Sequence, residues 1–292
     1  MDSLLCQYLL ILKLMRIVVA PYAGFCFGVE RALKIVGNVV QRSKLPVYTW
    51  GPLIHNKMVV EKLQSEYGVI PIGEFDHPPG YLILRTHGVP PDVVDEAKRN
   101  KFIVVDATCP FVAKVHRYVR LLTDEGYTVV VAGDRLHPEV RATLGYVGAY
   151  AYVVGDREAA SLLLECKKIG VVAQTTMLMD VYKEIISVLV TKCDELKIFN
   201  TICSATIRRQ EAGIKVANDV DIMLVVGDRQ SANTRQLTDI IKRVNPRTYQ
   251  VEGPEEVEPS WFNNTNRVGV TGGASTPNWL IDKVIDKVKS FK

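Results

Sequence analysis

Three cysteines occupy equivalent positions in the sequence. Cys26, Cys109 and Cys203 each follow an apolar run predicted to be a strand and precede a run predicted to be a helix, at comparable separations. Thiolates are ligands for zinc, copper(I) and iron–sulfur clusters. Structural zinc sites often use CxxC pairs, and the chain has none. Three thiolates from distant sections therefore favour an iron–sulfur cluster with one iron left open to act as a Lewis acid.

The remaining cysteines, Cys6, Cys166 and Cys193, lack this repeated context. We interpret them as buried or incidental thiols. Six cysteines in a chain of this length do not resemble the disulfide framework of a small secreted domain. The sequence therefore predicts an intracellular, cytoplasmic protein with reduced thiols.

The histidines supply a second signal. His55, His87 and His137 fall in polar loops after predicted strands, whereas His77 lies in a proline-flanked turn and His116 is expected to face outward from a helix. The corresponding loops of the last third carry the small donors Ser231, Asn233 and Ser275. Such donors, with backbone N–H groups at a strand–helix junction, can hold phosphate oxygens. Together the loops predict an anion site large enough for a diphosphate.

The middle third is expected to handle protons. Glu139 follows His137 by two residues, and Thr175 lies in a later loop beside Gln174 and Thr176. A carboxylic acid in a partly desolvated cavity can hold its proton near neutral pH and give it to a leaving hydroxyl. The alternative is a solvated loop carboxylate without a role.

Strand-like and helix-like runs alternate along the chain, which predicts an α/β fold with parallel sheets. We expect three similar units about a pseudo-threefold axis, a trefoil around the central cluster, with ligands at the carboxyl ends of the strands. The first unit spans residues 27–109, the second 110–203, and the third 204–292 completed by the strand at 16–26. Residues 1–15 are expected to be an extension outside the fold.

The composition excludes other classes of protein. The chain has 292 residues, 48% of them hydrophobic and 23% charged, and a net charge of +4. No run of basic residues interleaved with aromatics appears, so a nucleic-acid partner is not expected. The apolar start is too short to cross a bilayer, and no membrane partner is expected. The mild positive charge is compatible with a small anionic substrate.

The chain resembles the IspH/LytB family, the 4-hydroxy-3-methylbut-2-enyl diphosphate reductases. Eight short motifs carry the resemblance, in order from about Arg16 to the C-terminus. They are GFCFGVERA, DATCP, HN after GP, THGV, HPEV, AQTT, IC-x-AT-x-x-RQ and TGGAS-x-P.

This resemblance implies the last step of the non-mevalonate (MEP) isoprenoid pathway. The allylic substrate loses its hydroxyl and gives isopentenyl and dimethylallyl diphosphate, with electrons from a ferredoxin or flavodoxin. It implies a 4Fe–4S cluster on Cys26, Cys109 and Cys203, whose open iron binds the C4 oxygen, and a proton relay through Glu139. The residues that it implies for substrate binding are His55, His87, His137, Thr175, Ser231, Ala232, Asn233 and Ser275.

The chain departs from the family pattern at Ala232, where a second serine usually precedes the asparagine. The backbone N–H of Ala232 is expected to remain as a donor. Ser204 also replaces a larger residue.

Two other classes of protein stay open: a non-redox 4Fe–4S hydro-lyase, and a binding protein with a structural zinc on the three cysteines. Electron uptake coupled to product formation would distinguish a reductase from the hydro-lyase. Metal analysis would distinguish it from the zinc-binding protein.

Overall fold

The computed structural model describes residues 15–147 and 151–291. Of the expected N-terminal extension, only Met15 is described; the rest, with Cys6, lies outside the described residues. No helix in the described ranges has the length and apolar character needed to cross a membrane.

Three four-stranded parallel sheets form the framework, so the predicted α/β fold of three similar units is confirmed. Strands joined through helices pair in parallel because the crossover returns the chain to the same edge. The chain opens with β1 (Arg16–Val19), followed after Cys26 by α1 (Phe27–Arg42).

The first sheet has the strand order β3-β2-β4-β5. Asn56 caps the helix after its first strand, where the side-chain oxygen accepts from the Val59 N–H at 3.1 Å. Gly68 ends the same helix with φ of +64°, a conformation that favours glycine. The elements of this unit are β2 (Val47–Trp50), α2 (Lys57–Tyr67), β3 (Val69–Ile72), β4 (Tyr81–Leu84), α3 (Pro91–Arg99) and β5 (Ile103–Asp106).

The second sheet repeats this plan with the order β7-β6-β8-β9. Its first helix begins at Pro110 directly after Cys109, as the sequence predicts, because proline suits the first helical turn. The elements are α4 (Pro110–Asp124), β6 (Thr128–Ala132), α5 (Pro138–Leu144), β7 (Ala151–Val154), α6 (Arg157–Ser161), β8 (Cys166–Ala173), α7 (Met179–Leu189) and β9 (Cys193–Phe199).

The third sheet, in the order β1-β12-β10-β11, takes its edge strand from the start of the chain. Strand β1 pairs in parallel with β12, with Ile17 opposite Val268. The elements are α8 (Ser204–Asn218), β10 (Ile222–Val226), α9 (Ala232–Val244), β11 (Thr248–Val251), β12 (Arg267–Gly272) and α10 (Asn278–Lys289), with two short 3₁₀ turns at Pro254–Glu256 and Pro259–Phe262.

Each sheet is buried on both faces, as parallel sheets require. In the first unit, Val36 of α1 and Leu63 of α2 pack into the cluster on one face, and Ala97 of α3 packs on the other. Each unit thus has its own core. The sheets fall within the three predicted sections of the chain, and the boundaries of those sections stay a prediction.

The three units present equivalent loops. In each sheet the edge strand β5, β9 or β1 leads to a cysteine, and the two central strands lead to the polar loops with the candidate side chains. Because the strands of a sheet are parallel, their carboxyl ends share one edge. Each unit therefore offers one thiol and two polar loops on the same side.

Candidate functional site

One cavity lies where the carboxyl ends of the three sheets meet. Its volume is about 110 Å³, and it opens to the surface. Every side chain that the sequence indicates for the site lines this cavity: Cys26, His55, His87, Cys109, His137, Glu139, Thr175, Cys203, Ser231, Ala232, Asn233 and Ser275. The three units therefore share one site.

The three cysteines hold equivalent positions in three dimensions as well as in sequence. Cys26, Cys109 and Cys203 are the N-cap residues of α1, α4 and α8, and none of the three sulfurs caps its helix. All three are free thiols. A helix N-terminus carries partial positive charge, which favours a thiolate. The sulfurs are therefore available to a metal centre.

Gly28 keeps space open between two of these sulfurs. A Cβ atom at this position would lie 2.7 Å from the Cys109 Sγ and 3.8 Å from the Cys26 Sγ. Any larger residue would fill the space in front of the thiols. The soft donor set and this space fit a cluster held by three cysteines.

Burial keeps two of the thiols, those of Cys109 and Cys203, protonated without a metal. It raises the pKa of Cys109 to about 11, with a further contribution from neighbouring Cys26 and opposed by the backbone N–H groups of Phe111 and Val112. Burial also raises the pKa of Cys203. A bound metal deprotonates coordinating thiols, so metal loading at this site would release protons.

Glu139 is a buried carboxyl group with two hydrogen bonds from one residue. The backbone N–H of Thr175 donates to Oε1 at 2.6 Å, and the Thr175 hydroxyl donates to Oε2 at 2.7 Å. Only 2% of Glu139 is exposed, so the alternative of a solvated loop carboxylate does not hold. Burial raises its pKa to about 7 in spite of the two hydrogen bonds. Such an acid can carry its proton at neutral pH.

The three histidines of the polar loops form one cluster. The ring centroids of His55 and His87 are 4.4 Å apart, and the ring of His137 lies 5.6 Å and 5.5 Å from them. The Nδ1 atom of His137 accepts from the Glu139 N–H at 3.2 Å, which leaves the proton on Nε2. The Nε2 atom of His55 and the Nδ1 atom of His87 are buried without a partner in the described structure. Because buried polar atoms normally have hydrogen-bond partners, these two nitrogens indicate a binding site for a polar ligand.

Electrostatics favours an anion over a cation at the histidine cluster. Burial is the main reason that the pKa of His137 falls to about 4, and it also lowers the pKa of His55 and His87. The charge of Arg85 lowers all three pKa values further, and that of Arg235 those of His55 and His137, while Asp228 raises the pKa of His55 and Asp134 that of His137. The ligand nitrogens lie within 4.8 Å of one another and could hold a metal ion. The nearby guanidinium, however, disfavours a cation and attracts an anion.

The third unit faces the histidines with small donors. Helix α9 begins at this point, and its N-cap Ser231 accepts from the Thr234 N–H. The Asn233 side-chain oxygen accepts from the Ala274 N–H at 2.9 Å, so its amide N–H groups remain to donate. The Ser275 hydroxyl donates to the His55 carbonyl at 2.7 Å and joins the first unit to the third. A helix N-terminus with such donors suits phosphate oxygens.

The structure differs from the sequence-based expectation at His116, and it shows contacts of Arg209 that the sequence did not indicate. His116 does not face outward: it is buried, stacks on Tyr146 at 4.1 Å and packs beneath Gly88. Helix α4 is covered on that side by the loop after β4, which the helical pattern does not reveal. Arg209 was given no role, yet it donates to the carbonyls of Gly272 and Gly24 at 2.7 Å and 2.9 Å. The signal that could have identified it is an arginine six residues after Cys203, within the first two turns of the helix that this cysteine precedes.

Sequence comparison finds relatives along nearly the whole chain. The protein-family model described as LytB protein matches residues 17–289. A 4-hydroxy-3-methylbut-2-enyl diphosphate reductase of Geobacter sulfurreducens is 43% identical over 278 residues, which are 95% of this chain and 98% of that protein. The enzyme of the same name from Aquifex aeolicus is 42% identical over 94% of this chain and 96% of its own.

Solved structures are similar along nearly the whole chain. One is of (E)-4-hydroxy-3-methyl-but-2-enyl diphosphate reductase, described as the terminal enzyme of the non-mevalonate pathway. It is 41% identical, with a TM-score of 0.72, and the match covers 94% of this chain and 99% of the other. The E-1-hydroxy-2-methyl-but-2-enyl-4-diphosphate reductase of Plasmodium falciparum is 30% identical, with a TM-score of 0.89, over 93% and 87% of the two chains. The chain belongs to the LytB protein family.

Proposed function

We propose that the protein is a 4-hydroxy-3-methylbut-2-enyl diphosphate reductase, which removes the allylic hydroxyl of its substrate and yields isopentenyl and dimethylallyl diphosphate. The relatives and a solved structure that carry this name match almost the whole chain. The observation that carries the proposal is the single cavity in which three thiols, a buried acid and an anion site face one another. Reductive dehydroxylation needs these three groups together.

The diphosphate end of the substrate would be held by the first and third units. The partnerless nitrogens of His55 and His87 would bond to its oxygens, with His137 beside them. The residues of the third unit that would complete the binding are Ser231, Ala232 through its backbone N–H, Asn233 and Ser275. Fixing the charged end in this way places the hydroxyl end toward the cysteines and removes much of the entropic cost of the reaction.

Glu139 would hold and move the proton. Its carboxyl group has a pKa of about 7 because it is buried, so it can be protonated when substrate arrives. The two hydrogen bonds from Thr175 fix the carboxyl group within the cavity. A proton leaving Oε1 or Oε2 converts the substrate hydroxyl into water, a better leaving group.

Cys26, Cys109 and Cys203 would hold a 4Fe–4S cluster. When bound, the cluster supplies electrons and a Lewis-acidic iron. The role of the chain would be to present three thiolates at helix N-termini and to keep the space beside the Cys26 and Cys109 sulfurs open through Gly28.

A one-electron carrier protein, a ferredoxin or a flavodoxin, would supply the reducing equivalents. Large apolar side chains lie exposed beside the first cysteine: Phe27 is 63% exposed and Tyr22 is 58% exposed. A surface of this kind next to a redox centre is suited to a transient protein partner. The five described cysteines are free, which supports a cytoplasmic location.

Metal analysis and turnover under strictly anaerobic conditions test the proposal. We expect stoichiometric iron and sulfide, an electron paramagnetic resonance signal that changes on addition of substrate, and both isomeric products when a chemical reductant is supplied. Cys109→Ser is expected to lose iron and activity, and the matched control Cys193→Ser, outside the cavity, to retain both. Stoichiometric zinc without sulfide would overturn the proposal, and loss of water from the substrate without electron uptake would indicate a hydro-lyase.

A further inference from the structure

The second sheet holds a pair of cysteines that the proposed reaction does not use. Cys166 and Cys193 are the first residues of β8 and β9, and they lie directly opposite each other in the parallel pairing of these strands. We propose that this pair is a thiol-modification site, which a low-molecular-weight disulfide such as oxidised glutathione converts into a Cys166–Cys193 disulfide.

The backbone places the two residues at a separation suited to a disulfide. Neighbouring strands run about 4.8 Å apart. The Cα atoms of disulfide-bonded cysteines lie about 4.4–6.8 Å apart. The backbone N–H of Cys166 donates to the Lys192 carbonyl at 2.9 Å, directly before Cys193, and this bond holds the two strand ends together. No rearrangement of the sheet is needed to bring the residues within bonding range.

The packing of the two cysteines places both thiols on one face of the sheet. Cys166 and Cys193 both pack against the same hydrophobic cluster, which contains Ile185 of α7. The two thiols therefore lie on one side of the sheet.

The pair is open to small molecules. A shallow surface pocket is lined by both cysteines and by Glu165, Lys167, Lys192 and Asp194. The thiol of Cys166 donates to the Leu164 carbonyl in an exposed contact, and that of Cys193 donates to the Leu189 carbonyl in a partly buried one. Cys166 is the more accessible sulfur. The two lysines and two carboxylates of the pocket balance in charge, so access to the sulfurs rather than charge admits the reagent.

The reaction is a thiol–disulfide exchange in two steps. The thiolate of Cys166 attacks one sulfur of the reagent, which releases one thiol and leaves a mixed disulfide on Cys166. Cys193 then attacks the Cys166 sulfur and releases the second thiol. The protein loses two electrons and two protons, which reduce the reagent to two thiols. Burial raises the pKa of Cys193, which fits the order in which the more exposed sulfur reacts first.

The new bond would lie far from the cavity. Cys193 begins a strand of seven residues whose far end leads to Cys203, a distance of roughly 20 Å at the usual rise per residue. The bond would close a loop that contains β8, Thr175 and α7. Closing a loop restricts the unfolded chain, so the oxidised second unit should resist unfolding without loss of the active geometry.

Peptide mapping of the intact, cluster-loaded protein tests the inference. After anaerobic incubation with oxidised glutathione, free thiols are alkylated and the protein is digested with trypsin. We expect a disulfide-linked pair of peptides that covers residues 158–167 and 193–197, removed by dithiothreitol. The melting temperature should rise by about 5 °C in the oxidised wild type.

The Cys193→Ser variant identifies the attacking thiol. We expect it to accumulate glutathione on Cys166 and to show no rise in melting temperature, with iron content equal to that of the wild type. Alkylation of both Cys166 and Cys193 after the same treatment of the wild type would overturn the inference. A stable glutathione adduct on wild-type Cys166, without the linked peptides, would overturn it as well.

Discussion

Glu139 combines two environments that act in opposite directions on a carboxyl group. Burial disfavours its charged form, while the N–H and hydroxyl of Thr175 favour that form. Burial has the larger effect, and the pKa rises from 4.5 to about 7. The acid is thus poised to lose and regain a proton near neutral pH, as a proton relay requires.

The turnover rate of the Glu139→Gln variant tests whether Glu139 relays the proton. Glutamine keeps the shape and can accept from the Thr175 N–H, but it has no proton to give. We expect turnover to fall by about a hundredfold or more, with unchanged iron content and unchanged affinity for inorganic pyrophosphate. In the wild type, the rate with a chemical reductant should decrease as the pH rises above about 7. Near-normal turnover of the variant would rule out the relay.

The same residue makes a prediction for stability. The pKa of Glu139 is higher in the folded chain than its ordinary value of 4.5, so its contribution to stability is complete below pH 4.5 and is lost as the pH rises through about 7. The free energy of unfolding of the wild type should therefore fall relative to that of Glu139→Gln between pH 5 and pH 8. Urea titrations of both proteins at the two pH values measure this difference. A constant difference would contradict the raised pKa.

Ala232 offers a test in which function is gained. It is buried at the start of α9, lines the cavity and stands where the family pattern has a serine. In Ala232→Ser, the added hydroxyl should contribute one hydrogen bond to the anion and strengthen pyrophosphate binding by about three- to tenfold. Ser231→Ala, the matched removal of a hydroxyl one residue earlier, should weaken it. Isothermal titration calorimetry measures both, and weaker binding by Ala232→Ser would place the hydroxyl away from the anion.

The positions of the site residues could be predicted from the sequence because each one follows an apolar run that ends a strand. The burial and contacts of these residues could not be predicted from the sequence. From the sequence, Glu139 is expected in a partly desolvated cavity, with a solvated loop carboxylate as the alternative, and only the packing of α5 shows that it is buried. The pattern of α4 likewise gave no sign that Gly88 and Tyr146 cover His116. Burial by a distant loop leaves no periodic trace in the covered helix.

At the scale of elements, the strands of the three repeated units could be predicted from the sequence where they are long or lead to a polar loop. The edge strand β1 could be paired with the third unit by counting strands, and it does lie beside β12. The opposite edge strands β3, β7 and β11 were not identified. Each has four residues, one includes Pro71, and none leads to a candidate site residue. Edge strands tolerate proline and short length, so their pattern is weak.

Arg209 connects the elements around the cysteines. It lies on α8, is 3% exposed, and bonds to the carbonyl ends of β12 and of the loop that leads to Cys26. We expect Arg209→Met to lose both bonds and leave two buried carbonyls without partners, which lowers the free energy of unfolding by about 3 kcal/mol. Arg208→Met, on the same helix but exposed over Tyr22, is the control and should lose under about 1 kcal/mol. Equal losses in urea titrations would show that the buried bonds do not stabilise the loops.

At the scale of the whole molecule, the cavity is the place where three separate cores become one protein. Each sheet has its own hydrophobic clusters, while contacts at the cavity join units that are distant in sequence. Ser275 bonds to the His55 carbonyl, and the Lys57 N–H donates to Asp228 at 3.1 Å. A ligand that touches every unit should therefore stabilise all three together, since it binds the folded chain alone.

Inorganic pyrophosphate tests this coupling. At about a hundred times its dissociation constant it should raise the melting temperature of the wild type by about 5 °C, in one transition. Ser275→Ala should show a clearly smaller rise, because it removes a hydroxyl that lines the cavity and its bond to the His55 carbonyl. Ser290→Ala is the matched control: its hydroxyl also donates to a backbone carbonyl at 2.7 Å, at the end of α10 and away from the cavity. An equal rise in both variants, or separate transitions with ligand bound, would show that the anion does not join the units through Ser275.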